Sequence, residues 1–140
     1  IPPSGVRRSY WKNWYSKRVD AVPSTAVNNL QIYYNDDPLP TGVTLKIGTT
    51  FPVKNSLVST GYKVATGLGN VDGNVPALTM VDITTYTTGA PLSLTISEAS
   101  SQLDALSETS NYFVLQLEVS PTAAAGTLDA LPITIKYTEE

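Results

Sequence analysis

Two tryptophans, two tyrosines and five basic side chains share the first eighteen residues of this chain, with no acidic residue among them. Val6, Arg7, Arg8, Tyr10, Trp11, Lys12, Trp14, Tyr15, Lys17 and Arg18 are therefore the first candidates for a binding role. The cations suit an anionic partner. The rings suit burial, because each buried aromatic side chain contributes roughly 1.5–3 kcal/mol. Read as a strand, Trp11, Asn13 and Tyr15 face one way and Tyr10, Lys12 and Trp14 the other; read as a helix, Tyr10/Trp14 and Trp11/Tyr15 are i,i+4 pairs. Such a segment has three uses: it folds back as a first element of its own domain, docks onto another subunit as an added strand, or contacts a ligand. Basic residues interleaved with aromatics also describe a nucleic-acid surface. Residues 1–18 carry +5, but residues 19–140 hold four bases and all twelve acids, so 4 − 12 = −8. That anionic remainder repels a polyanion, and no RNA- or DNA-binding signature accompanies the arm, so nucleic acid is disfavoured as a partner.

The other chemical signals are weaker. Asn70, Asp72 and Asn74 imitate the start of a calcium loop, with Gly73 for the turn, but the Glu required at the twelfth position is missing and Val81 stands there. A Gly/Asn turn is the simpler reading, and no metal or other cofactor is expected. Asn35-Asp36-Asp37-Pro38 reads likewise as a turn. The chain contains no Cys and no His, which removes disulfides, thiolates, common zinc sites and Ser-His or Cys-His pairs. Two-carboxylate chemistry stays formally open. Glu98, Asp104, Glu108 and Glu118 are close in sequence but fall on polar faces where solvated charge is the default. Without a tuned base the chain reads as non-enzymatic. Tyr33, Tyr34, Tyr62 and Tyr86 offer a carbohydrate platform, although Tyr is also a favoured strand residue.

The elements that must position these residues are strands. Length (140 residues), a 41% hydrophobic fraction, abundant Thr and Ser, ten Pro and nine Gly fit one β-rich domain. Leu30, Ile32 and Tyr34 alternate, as do Val43, Leu45 and Ile47, then Phe113, Leu115, Leu117 and Val119, and finally Ile133, Ile135 and Tyr137. Residues 51–58, 62–65, 78–86 and 92–96 supply four further candidate strands, with a Gly/Asn loop at 67–74. Residues 98–107 (EASSQLDALS) predict a short helix, Ser97 as N-cap and Leu103 and Leu106 inward. About eight short strands without repeated long helices predict an all-β, antiparallel sandwich, Ig-like or jelly-roll-like. The expected division is an N-terminal basic and aromatic arm over residues 1–25 and a sandwich over 26–140.

Residues 112–138, YFVLQLEVSPTAAAGTLDALPITIKYT, resemble the final hairpin of many Ig-like surface, S-layer and fimbrial domains. In those domains a strand is followed by Pro, small residues, Ala-Gly-Thr and a last Ile/Val-rich strand. The resemblance implies fold and location and assigns no residue roles. Extracellular filament subunits, archaeal thread-type and bacterial pilus-type alike, pair such a sandwich with an extended N-terminal arm. A first residue of Ile suggests a processed N-terminus and, with it, an extracellular or cell-surface location. No stretch approaches the roughly 20 apolar residues of a membrane helix. The function expected is a subunit of an extracellular filament or surface assembly, its arm docking onto a neighbouring copy by strand addition, so that the principal partner is the chain itself. Two alternatives stand beside it: a viral capsid or decoration protein with a basic arm, located in the virion, and a glycan-binding or adhesin module.

Overall fold

The structure is a computed structural model in which residues 4–20, 25–35, 38–49, 63–64, 79–124 and 130–140 are described. Nine strands appear among them: β1 (Arg7–Arg8), β2 (Tyr10–Trp14), β3 (Val27–Tyr34), β4 (Val43–Gly48), β5 (Lys63–Val64), β6 (Met80–Asp82), β7 (Leu92–Ser93), β8 (Phe113–Val119) and β9 (Ile133–Glu139). A single 3-10 turn, Ile83–Thr85, follows β6, and the Asp82 carboxylate caps it by accepting from the Thr84 N–H.

Two antiparallel sheets form. The larger runs β5-β2-β8-β4-β6, with β1 also on β8, and the smaller runs β7-β3-β9. The chain is an all-β sandwich, as the alternating sequence predicts. Period-2 patterning decides which side chains meet between the sheets. Leu30, Ile32 and Tyr34 of β3 face Leu45 and Ile47 of β4 and Phe113 of β8, with Ile83 and Leu94 completing the buried cluster. Register confirms the shared face: Leu45 pairs with Leu117 and Ile47 with Leu115 across β4–β8, and Ile32 with Ile135 across β3–β9. β8 is buried on its outer face as well, where Val114 and Gln116 are 0% and 1% exposed. That double burial explains why its sequence, FVLQLEV, is nearly continuously apolar.

Two irregularities set local geometry. Between Asn28 and Gln31 the β3–β9 register shifts at Asn29, which has φ +48°, a left-handed conformation that Asn tolerates better than most residues. Before β4, the Pro40 carbonyl accepts from the Val43 N–H at 2.9 Å, and Gly42 at φ +82° occupies the third position, where a type II turn requires a positive φ.

The expected helix over 98–107 does not form. Ser101 N–H bonds to Glu98 O and Glu108 N–H to Ala105 O, closing two separate turns, with Ser101 and Ser107 at φ +59° and +71°. The reason is competition. Ten residues nucleate a helix poorly, the Ser100 hydroxyl bonds the local backbone at Gln102, and Leu103 exchanges both backbone bonds with Val27. Leu103 is buried as expected, whereas Leu106 is exposed.

Candidate functional site

The basic, aromatic N-terminal segment is a strand, laid antiparallel along residues 107–119 of its own chain. Arg7 and Arg8 pair with Val119 and Glu118, and Lys12, Asn13 and Trp14 pair with Leu115, Val114 and Phe113. The alignment continues beyond the ladder. Ser110 N–H donates to Ser16 O, Lys17 bridges Thr109, Arg18 N–H donates to Glu108 O, and Ser107 N–H donates to Arg18 O. On its other edge β2 meets β5, Tyr10 opposite Val64 and Trp11 opposite Lys63. Arm and body therefore share one sheet. Of the uses the sequence left open, folding back is the one taken within this chain.

Contacts along the whole arm set the register of this seat. From Arg8↔Glu118 to Lys12↔Leu115 the arm advances four residues while β8 advances three, so the arm carries a bulge. Ser9 closes it: its N–H donates to Leu117 O at 2.8 Å, its hydroxyl accepts from Leu117 N–H at 2.9 Å, and its carbonyl accepts from Gln116 Nε2 at 3.1 Å. Beside the bulge, Arg8 Nε donates to Glu118 Oε1 at 2.7 Å in a half-buried ion pair. Farther along, Ser16 N–H donates to the buried Ser110 hydroxyl at 2.9 Å, and Tyr15 meets Tyr112 edge to face with ring centroids 5.2 Å apart. Arg18 ties the segment's end to the connection, donating to the carbonyls of Asp20, Thr25 and Leu103. Ser9, Gln116 and Ser110 were not legible as site residues, because a serine before an aromatic run and a polar residue in an alternating strand both read as surface.

Next to the arm the sandwich stays open among the described residues. Three strands at about 4.8 Å spacing cover roughly 10 Å, whereas the five side-by-side positions of the six-stranded larger sheet span roughly 19 Å. The uncovered part is a groove of about 630 Å³. Its floor is Phe113, Leu115 and Leu117, with Trp14 of β2 on one side and Ile133 and Ile135 of β9 on the other. Because Trp14 is paired with Phe113 and Ile135 with Ile32, both face inward, yet they are 50% and 42% exposed. Tyr137, two residues along β9, is 51% exposed. Among the described residues no strand pairs with the outer edge of β9.

The remaining candidates lead elsewhere. Tyr34 is a core residue and Tyr33, its neighbour in β3, points the opposite way, so they do not build one platform; Tyr86 is half-buried, and Tyr62 lies outside the described residues. Asn70, Asp72 and Asn74 also lie outside them. The carboxylates serve local structure: Glu108 Oε2 accepts from the Asp104 and Ala105 N–H groups at 2.7 Å each, Glu98 accepts from Thr109 N–H, and Glu118 holds Arg8. Among the described residues no group of three or more acidic side chains gathers to hold a metal ion, and no helix is long and apolar enough to cross a membrane. Val6 is exposed at the head of the arm, and Lys17 is exposed near its end. What the site can do chemically is present a strand seat and an apolar groove. Comparison with family models, with curated proteins and with solved structures finds no match to this chain.

Proposed function

We propose that this chain is a structural subunit of an extracellular filament or surface assembly, and that its N-terminal arm docks onto a neighbouring copy by strand addition. The observation that carries this reading is the groove that stays open among the described residues. A domain that works alone ordinarily closes its core, yet here Trp14, Ile135 and Tyr137 turn toward the inter-sheet space and remain about half exposed. The groove adjoins the arm, because Trp14 belongs to both. Charge supports the same reading: an arm of +5 beside a remainder of −8 draws like subunits together head to tail. Heterologous contacts of that kind propagate into open filaments when the rotation does not close.

Negative-stain microscopy and light-scattering growth test the proposal. Filaments or extended assemblies are expected, and their onset should slow as salt rises, since steering between exposed charges is screened within about 8–10 Å. Arg7 and Lys17 are both exposed. Reversing both to Glu takes residues 1–18 from +5 to +1 (5 − 4) while leaving the Arg8–Glu118 pair in place. Slower growth is expected at low salt and little difference at high salt. Purified chain that remains monomeric at every concentration and salt would remove the proposal.

A further inference from the structure

We infer that the seat of the arm on a neighbouring copy is β8, the same edge it occupies in its own chain, so that each subunit passes its arm to the next along the assembly. The inference rests on the assembly reading above and names the contacts that reading leaves open. Two seats compete for a docking arm, the edge of β8 and the groove beside β9, and hydrogen-bond conservation separates them. An arm that left β8 for a neighbour's groove would give up the whole ladder from Arg7 to Trp14 and the backbone bonds from Ser16 to Arg18. It would also leave Gln116 Nε2 and the Leu117 N–H without the Ser9 oxygens that now accept from them. An arm that moves to a neighbour's β8 reforms each of these bonds, so exchange loses none of them and is driven by concentration.

Charge and register point to the same seat. Glu118 is the only charged residue of β8, and Arg8 sits on it at 2.7 Å. The bulge at Ser9 makes that alignment specific, because the Ser9 hydroxyl reaches the Leu117 N–H only when Arg8 lies across from Glu118. In an exchanged pair, Arg8 of one copy meets Glu118 of the next. The connection of residues 19–26 has a contour length of at most about 28 Å, which limits how far apart two bodies that share an arm can lie. Trp14 then reaches the neighbour as a wall of its groove, which places the groove at the subunit junction.

The absence of cysteine makes the test clean. Arg7→Cys and Val119→Cys replace directly paired residues and leave Arg8, Ser9 and Glu118 untouched. The two single variants are mixed under reducing conditions, assembled and then oxidised. A mixed Arg7→Cys/Val119→Cys crosslink above the level each variant gives alone is the expected result, and the double variant should run as a covalent ladder on a non-reducing gel. Lys17→Cys with Thr109→Cys repeats the test at the other end of the seat. Arg7→Cys mixed with Ile135→Cys probes the groove and should give no crosslink. Assemblies in which the groove pair crosslinks and the β8 pair does not would overturn the inference while leaving the assembly reading intact. So would assemblies in which the double variant closes only within each chain. Failure of the wild-type chain to assemble at all removes both.

Discussion

Deleting residues 1–25 is expected to abolish cooperative unfolding of the remaining chain, and a peptide of residues 4–18 added in trans is expected to restore it. The arm supplies the neighbour of β8, the central strand of the larger sheet, along residues 107–119. Four backbone hydrogen bonds join the two segments outside the paired positions, between Ser9 and Leu117, Ser16 and Ser110, Arg18 and Glu108, and Ser107 and Arg18. At about 0.5–1.5 kcal/mol net per bond, those four alone contribute roughly 2–6 kcal/mol. The paired residues and the half-buried Arg8–Glu118 contact add to that. A domain of this size holds only about 5–15 kcal/mol in total, so the truncated chain should be unfolded or molten. Urea titration followed by circular dichroism checks it. The peptide arm matters most, because a seat that accepts a strand from a separate molecule is a seat that accepts one from a neighbouring subunit. A truncated chain with wild-type stability, or a peptide without effect at any concentration, would show that the β8 edge is not a strand-binding site.

Replacing Gly42 with alanine is expected to lower stability by roughly 2–5 kcal/mol, the sum of left-handed strain and local overpacking. At φ +82° a Cβ is strained wherever space exists, and here there is none: it would stand 2.7 Å from the backbone N and Cα of Ala123 and from Ser120 Oγ. These are backbone atoms for the most part and cannot swing aside. The Gly42 carbonyl also accepts from the Ser120 N–H at 2.8 Å, so any shift that relieves the clash weakens the tie between the turn before β4 and the end of β8. The measurement is the urea midpoint at unchanged slope. Gly89→Ala is the control, since its Cβ would meet nothing nearer than Thr87 Oγ1 at 4.0 Å and its φ is not in the left-handed region. It should change stability by less than about 1 kcal/mol. Equal effects at the two sites would refute the assigned role of Gly42.

The fold class was legible because period-2 alternation is a local property. Leu30, Ile32 and Tyr34 in β3, and Leu45 and Ile47 in β4, all turn inward as their spacing demands, and each is buried. The charge division between residues 1–18 and the remainder can likewise be read by counting. Turns against helix at 98–107 could not be, since the outcome depended on Val27 pairing with Leu103 from far along the chain. The alternation places Phe113, Leu115, Leu117 and Val119 of β8 on one face; burial of Val114 and Gln116 on the other follows from neighbours that the alternation does not name.

The arm shows most plainly where local information stops. Composition marked residues 6–18 as a segment that must bury its rings against something and left open whether that was its own domain, another subunit or a ligand. Only the tertiary structure decided that it lies on β8, because Arg8 and Glu118 are 110 residues apart and strand pairing at such a distance leaves no trace in the spacing of either segment. The bulge at Ser9 and the closure made by Gln116 follow from that pairing alone. The groove is also a tertiary outcome. The sequence determined which side chains face inward, but how many of them are covered depends on a three-stranded sheet lying over a six-stranded one among the described residues, and that pairing belongs to the assembled sheets.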